Sequence, residues 1–199
     1  TMESIPIEFG EVLVNEDWKQ VNLSRSFVDP VVIANSLSLN GPDPTAVRVR
    51  NVTGKGFDIR VQEWNYLDGA HTLETVSYLV MERGSFTLEN GARVEAGRFS
   101  TNKVNTFGQV NFNQSFTNVP VVVTSITSFN GSDTVTGRVQ KVSTRGFQYT
   151  MQEQESISDG HAAESIAYIA WEPSAGNIAG LTYKIGKTKD VVNSNLHTI

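Results

Sequence analysis

The strongest constraint on the fold is that the chain repeats itself. Displaced by ninety positions, Pro30-Val31-Val32 falls on Pro120-Val121-Val122, and Ser38, Asn40, Gly41 and Asp43 fall on Ser128, Asn130, Gly131 and Asp133. The register continues through Arg48-Val49, Gly56-Phe57 and Gln62-Glu63, which meet Arg138-Val139, Gly146-Phe147 and Gln152-Glu153. It closes with His71, Glu74, Tyr78 and Glu82 on His161, Glu164, Tyr168 and Glu172. A duplication of this length implies one small domain built twice, each copy near the lower size limit for a core of its own. The expected division is a first unit at 1–95, a second at 96–178, and a C-terminal strand or the start of a third copy at 179–199. The last segment is included because Ala179-Gly180, followed by Leu196-His197-Thr198-Ile199, echoes Ala96-Gly97 and the strand leading on from it.

Within each copy the apolar period is two. Phe57, Ile59 and Val61 alternate with Asp58, Arg60 and Gln62, and the same alternation returns in Phe147-x-Tyr149-x-Met151, Val76-x-Tyr78-x-Val80 and Ile166-x-Tyr168-x-Ala170. That spacing turns one side of a strand toward a core and the other toward water. Turn clusters such as Asn40-Gly41-Pro42-Asp43-Pro44 and Asn130-Gly131-Ser132-Asp133 separate the runs, and no stretch shows a helical apolar stripe. The reading is all-β, two tandem antiparallel β-sandwich domains of about six strands each. Pro30 and Pro120 suit strand starts, and Gly56 and Gly146 are expected to supply a positive φ in a hairpin turn.

Charge and composition remove several function classes. A net charge of −5, with charged residues at only 19%, offers no basic field for nucleic acid or an anionic membrane surface. No apolar run is long enough for a membrane helix, and Thr1 to Pro6 carries neither a basic region nor an apolar leader. The chain has no cysteine, so disulfides, thiolate metal sites and cysteine nucleophiles are excluded while the compartment stays open. A G-x-S-x-G turn, a P-loop, a G-x-G-x-x-G turn after a strand and an H-E-x-x-H motif are all missing, which points away from an enzyme.

The order Phe27-x-x-Pro30-Val31-Val32, Ser36-Leu37-Ser38-Leu39, Val47-Arg48-Val49, Gly56-Phe57, Trp64 and Val76-Ser77-Tyr78-Leu79 resembles the H-type lectin domain. The second copy keeps that order in Phe116, Pro120-Val121-Val122, Ser125-Ile126-Thr127, Gly146-Phe147 and Ile166-Ala167-Tyr168-Ile169. The resemblance spans most of residues 20–172 and rests mainly on core and turn positions. It implies a six-stranded antiparallel sandwich, sugar binding without catalysis and, in single-domain members, trimerisation. The family's tryptophan after Gly-Phe falls on Trp64 and, in the second copy, on Gln154. Its neighbouring histidine falls on Asn65 and Glu155, and its sugar-contacting arginine on Pro44 and Thr134.

Read from the residues, the segment Trp64-Asn65-Tyr66-Leu67-Asp68-Gly69-Ala70-His71 joins two strands and has the composition of a sugar site. An aromatic face stacks on a pyranose while Asn65, Asp68 and His71 hydrogen-bond its hydroxyls. A loop whose Trp64 and Tyr66 pack against the neighbouring repeat explains the same residues. The second loop lacks aromatics, and its candidates are Glu155, Asp159 and His161. His71 and Glu74, like His161 and Glu164, stand three apart, which on a strand sends them to opposite faces. Glu63 and Glu153 continue the inward parity of their strands, and a site shared by Glu63, His71 and Glu82 is the corresponding acid–base alternative. Asn40 and Asp43, with Asn130 and Asp133, offer oxygen ligands of the kind calcium takes, though an Asx turn accounts for them equally. Arg48 and Arg138 have outward parity and suit an anionic polymer or a surface ion pair.

The expectation is a non-catalytic, polysaccharide-binding tandem module of a larger exported protein, extracellular or on the cell surface. It needs no cofactor beyond an optional calcium ion, and its partners are a glycan, a further copy of the chain or neighbouring repeats. The alternatives are a structural or adhesive repeat without a sugar site, and a polysaccharide lyase or hydrolase using Glu63, His71 and Tyr78.

Overall fold

The computed structural model describes residues 5–36, 38–153, 160–178 and 180–188, and every regular element among them is a strand. In the first repeat, β1 (Ile7–Val14), β6 (Glu74–Glu82) and β3 (Pro30–Ser36) form one antiparallel sheet in the order β1-β6-β3. The strands β2 (Lys19–Asn22), β5 (Gly56–Glu63) and β4 (Thr45–Thr53) form the other, in the order β2-β5-β4. After a short strand β7 (Gly84–Thr87), the second repeat runs β8 (Arg93–Thr101), β9 (Gly108–Asn111), β10 (Val121–Ile126), β11 (Val135–Gln140), β12 (Gly146–Glu153) and β13 (Glu164–Trp171). Its sheets have the same orders, β8-β13-β10 and β9-β12-β11, with β7 added at the free side of β8. A last hairpin joins β14 (Ser174–Ile178) to β15 (Leu181–Ile185).

The period-two pattern does what it predicts. Along β5 the buried side chains include Phe57, Ile59, Val61 and Glu63, and they meet Val32, Val76 and Val80 of the opposite sheet. The second core is built likewise from Phe147, Tyr149 and Met151 against Ile166, Tyr168 and Ala170, and it is richer in rings, with Phe99 edge-on to Phe147 and Tyr149. Each fully buried aliphatic or aromatic side chain is worth about 1.5–3 kcal/mol relative to exposure.

A third apolar cluster lies between the repeats. Ile7, Val31, Ile33 and Met81, on the outer face of β1-β6-β3, pack on Val94, Ala96, Ala167, Ile169 and Trp171 of the second repeat. Each sandwich therefore buries an outer face as well as its interior.

Two backbone expectations are corrected. Gly56 and Gly146 do not have positive φ; that conformation falls instead on Asn51 (φ 51°) and Lys141 (φ 49°). The glycines serve close approach: a Cβ would lie 2.3 Å from the Val21 carbonyl oxygen at Gly56 and 2.2 Å from that of Val110 at Gly146. Nor does Gly180 correspond to Gly97. Gly97 lies within β8 against the Tyr168 ring, whereas Gly180 turns between β14 and β15 with φ 84°, as Gly91 does between β7 and β8 with φ 82°. Ala179 and the run Leu196 to Ile199 fall outside the described residues.

Candidate functional site

The loop from residue 64 to residue 73 leaves β5 at Glu63 and enters β6 at Glu74, and beneath it lies a buried charge network. Glu63 accepts the Gly69 N–H (3.1 Å) on one oxygen and holds His71 Nδ1 (2.8 Å) on the other. The other ring nitrogen, His71 Nε2, lies 3.1 Å from Glu74 Oε1. That carboxylate also accepts the Ser38 hydroxyl and the backbone N–H groups of Asn40 (2.7 Å) and Gly41 (2.9 Å). The second repeat reproduces the set, with His161 between Glu153 (2.9 Å) and Glu164 (3.1 Å), and Glu164 on Ser128, Asn130 and Gly131. Gly41 and Gly131 are part of the design, because a Cβ there would stand 2.5 and 2.4 Å from the imidazole Cε1.

The strand-parity argument about His71 and Glu74 is overturned. His71 precedes β6, so the irregular backbone turns its ring onto Glu74. Glu82 takes no part, accepting the Val28 and Asp29 N–H groups instead. Burial by itself would lower the His71 imidazole, but hydrogen bonds to Glu63 and Glu74 outweigh it and raise it above its ordinary value. Burial likewise pushes Glu74 up, yet Ser38, Gly41, Asn40 and His71 together pull its carboxyl down to about 2. Glu164 is lowered against burial by the corresponding donors.

His71 and His161 are therefore not sugar ligands: each is buried, and both ring nitrogens of each face carboxylates. The expected calcium turns are also capping turns. Asn40 and Asn130 donate their side-chain amides to the carbonyls of Leu73 (2.8 Å) and Ala163 (2.7 Å), while their N–H groups cap Glu74 and Glu164. Asp43 lies half-buried beyond that turn, and Asp133 accepts the Asn65 amide. Asp133, Glu153 and His161 bring ligating atoms within 4.8 Å of one another, but both His161 nitrogens are engaged.

At the surface the same loop forms a seam with the second repeat. Asn65 Nδ2 donates to Asp133 Oδ1 (2.6 Å), the Thr134 N–H donates to Asn65 Oδ1 (3.4 Å) while its hydroxyl donates to the Glu63 carbonyl, and Gln62 reaches the Ser132 carbonyl (2.8 Å). Beside this pinned edge Tyr66 is 65% exposed, Trp64 is half-buried and Asp68 is exposed, its carboxylate accepting the Ala70 N–H. Trp64, Asn65, Tyr66 and Asp68 thus share one rim, whereas Glu155 and Asp159 lie outside the described residues.

Arg48 departs most from expectation. Its outward side chain is fully buried beneath the second repeat, donating to the carbonyls of Asp133 (3.0 Å) and Gly131 (3.4 Å) and pairing with Glu164 (3.3 Å). Burial lowers it to about 10, with Glu164 opposing. Its counterpart Arg138 is exposed and bonded to Gln152 (2.7 Å). Arg48 and Arg60 lie over the Phe129 ring, and Arg50 and Arg60 over Trp18, which meets Phe129 edge-on. Nothing in the alternation of the strands announces the contacts to Phe129, since Arg48, Arg60 and Trp18 reach that ring only once the repeats are docked.

Comparison with known proteins agrees with the frame. Residues 108–171 match the model of the H-type lectin domain. Most of the second repeat is thus similar to an H-type lectin domain. Its strands β9 to β13 lie in that segment, and β2 to β6 are their counterparts. The chain is also similar to Halomucin of Haloquadratum walsbyi, 34% identical over 194 residues. That match takes in 92% of this chain but only 2% of the relative. No solved structure matches the chain.

Proposed function

We propose that the chain is a non-catalytic carbohydrate-binding module that takes a glycan at the seam between its repeats, on the rim formed by Trp64, Tyr66 and Asp68. The observation that carries the reading is the exposed Tyr66 beside Trp64, on a loop fixed at Asn65 by Asp133 and Thr134 in a chain similar over residues 108–171 to an H-type lectin domain. An aromatic held in place loses little conformational freedom on stacking against a sugar ring, and Asp68 stands ready to accept hydroxyl groups. The reading calls on no cation, since Trp64, Tyr66 and Asp68 supply the contacts it uses. It places the work outside the cell, on a polysaccharide where weak sites in series add through effective concentration.

Isothermal titration against a panel of polysaccharides tests this. Binding should survive a chelator, and Trp64→Ala or Tyr66→Ala should weaken it by about 1–3 kcal/mol, the range for an anchoring aromatic contact. Absence of binding by the wild-type chain at millimolar saccharide overturns the reading. The density of bonds from Gln62, Glu63 and Asn65 to the second repeat favours the rival, a structural or adhesive spacer. Under that rival, quencher access to tryptophan would be indifferent to every glycan tried.

A further inference from the structure

The outer face of β2-β5-β4 gathers arginine in a chain whose net charge is −5. Arg48 and Arg60 stand directly opposite each other on β4 and β5, and in the next row of the same face Arg50 stands opposite Asp58. Like charges set opposite each other repel, so each cation needs a counter-charge. Arg48 has one in Glu164, with two carbonyls besides. Arg50 has one in part: its Nε meets Asp58 Oδ2 at 3.3 Å, and that oxygen already accepts the Asn51 amide at 2.8 Å. Arg60 has the least. Among the described residues it pairs with no carboxylate, its hydrogen bond to the Glu16 carbonyl is long (3.4 Å), and its buried Nε meets no acceptor. Burial and Arg50 hold Arg60 below its ordinary value, with Asp17 opposing.

Trp18 organises the two cations left short. The Arg50 and Arg60 guanidiniums lie 4.0 and 4.6 Å from its ring centre. A guanidinium stacked on an aromatic ring gives its face to the π cloud and keeps its N–H donors at the edge of its own plane. Such donors suit an oxyanion, which takes them in pairs. The place is open to solvent, since 35% of the Arg50 side chain is exposed and Arg60 and Trp18 are half-buried.

The sandwich itself does not require this arrangement. At the equivalent positions the second repeat has Phe107 for Trp18, Gln140 for Arg50, Gln148 for Asp58 and Thr150 for Arg60. There Gln140 donates to Gln148 (3.0 Å) across the same pair of strands, so an uncharged amide pair serves the sheet as well.

We propose that Trp18, Arg50 and Arg60 form a binding site for the oxyanion of an acidic glycan, a sulfate ester or a uronate carboxylate. Arg50 and Arg60 donate to its oxygens, while the indole fixes both cations and offers the adjoining sugar ring an apolar edge. The positive edge in an acidic chain selects the partner by charge complementarity. The site is built from other residues than the rim of Trp64, Tyr66 and Asp68, and it rests on the proposed glycan binding only in assigning the oxyanion to a saccharide.

Isothermal titration of the full chain with oligosaccharides of dextran sulfate and of polygalacturonate, beside neutral dextran and sodium sulfate, tests the proposal. At least one acidic oligosaccharide should bind about tenfold or more tightly than sodium sulfate, and its affinity should fall as salt rises from about 0.05 to about 0.5 M. Arg50→Gln should weaken that binding at least about tenfold, the worth of a charge-assisted hydrogen bond, and Arg138→Gln should leave it unchanged. Arg50→Gln combined with Asp58→Gln installs the amide pair of the second repeat, so the melting temperature should hold while acidic binding is lost. Failure of both acidic oligosaccharides to bind at millimolar concentration overturns the proposal, and so does equal binding of neutral dextran or of sodium sulfate. Equal loss in Arg138→Gln marks a diffuse attraction and overturns it too. Acidic binding that disappears with Tyr66→Ala but survives Arg50→Gln moves the ligand to the rim, which removes this site and leaves the rim reading standing.

Discussion

At the scale of single residues, the chain places ionised groups where a sandwich ordinarily places aliphatics, and their titration has a definite sign. The raised His71 contributes stability that is complete below the ordinary value of 6.5 and is lost as pH rises through its higher folded value. The lowered Glu74 contributes stability present above 4.5 and lost as pH falls toward about 2, and Glu164 acts in the same direction. Urea midpoints measured across pH should therefore form a plateau between roughly pH 4.5 and 6.5 with a decline on each side. His71→Gln should lower the plateau and flatten the alkaline decline, because it removes the group whose deprotonation drives it; an alkaline limb unchanged in that variant would count against the assignment. Arg48 is the second case. Arg48→Ala leaves Glu164 buried without its guanidinium, but Ser128, Asn130, Gly131 and His161 still hold that carboxylate. The loss should fall at or below the low end of the 3–5 kcal/mol seen when a buried pair is broken.

At the scale of elements, the strands were legible because alternation is a local signal, and the duplication doubled it. Phe57-Ile59-Val61 and Phe147-Tyr149-Met151 face inward as their parity requires. What alternation cannot carry is anything depending on the neighbouring strand. Gly56 and Gly146 read as turn glycines, but they are needed because the carbonyls of Val21 and Val110 pass too close for a side chain. Gly146→Ala should therefore cost more than the roughly 0.5–1 kcal/mol of backbone entropy ordinarily at stake between glycine and alanine, in whichever direction that difference acts. Thermal melts of this variant beside Gly160→Ala, where φ is 85° but no atom of the described residues lies within 4 Å of a Cβ, separate close approach from conformational strain. His71 illustrates the same limit. Strand geometry predicts opposite faces for its spacing to Glu74, whereas its ring turns inward from irregular backbone.

At the scale of the whole molecule, the sequence shows two units but not how they meet. Outward parity predicts exposure for Arg48, which is buried because residues of the second repeat lie over it; Val31 and Ile33, on the outer face of the opposing sheet, are buried by the same neighbour. The shared cluster, together with the Arg48 and Asn65 bonds, couples the halves thermodynamically: neither can open without exposing apolar area and stranding polar groups that the other satisfied. Urea unfolding followed by near-ultraviolet circular dichroism should then show a single transition, although each half has its own core. Ile169→Asp sets a carboxylate into the shared cluster while leaving the inner cores of Phe57 and Phe147 untouched. It should uncouple the repeats and yield two transitions, the aromatic-rich second sandwich reporting separately from the first. A single transition retained in Ile169→Asp would mean that cooperativity arises within the sandwiches and not across their interface.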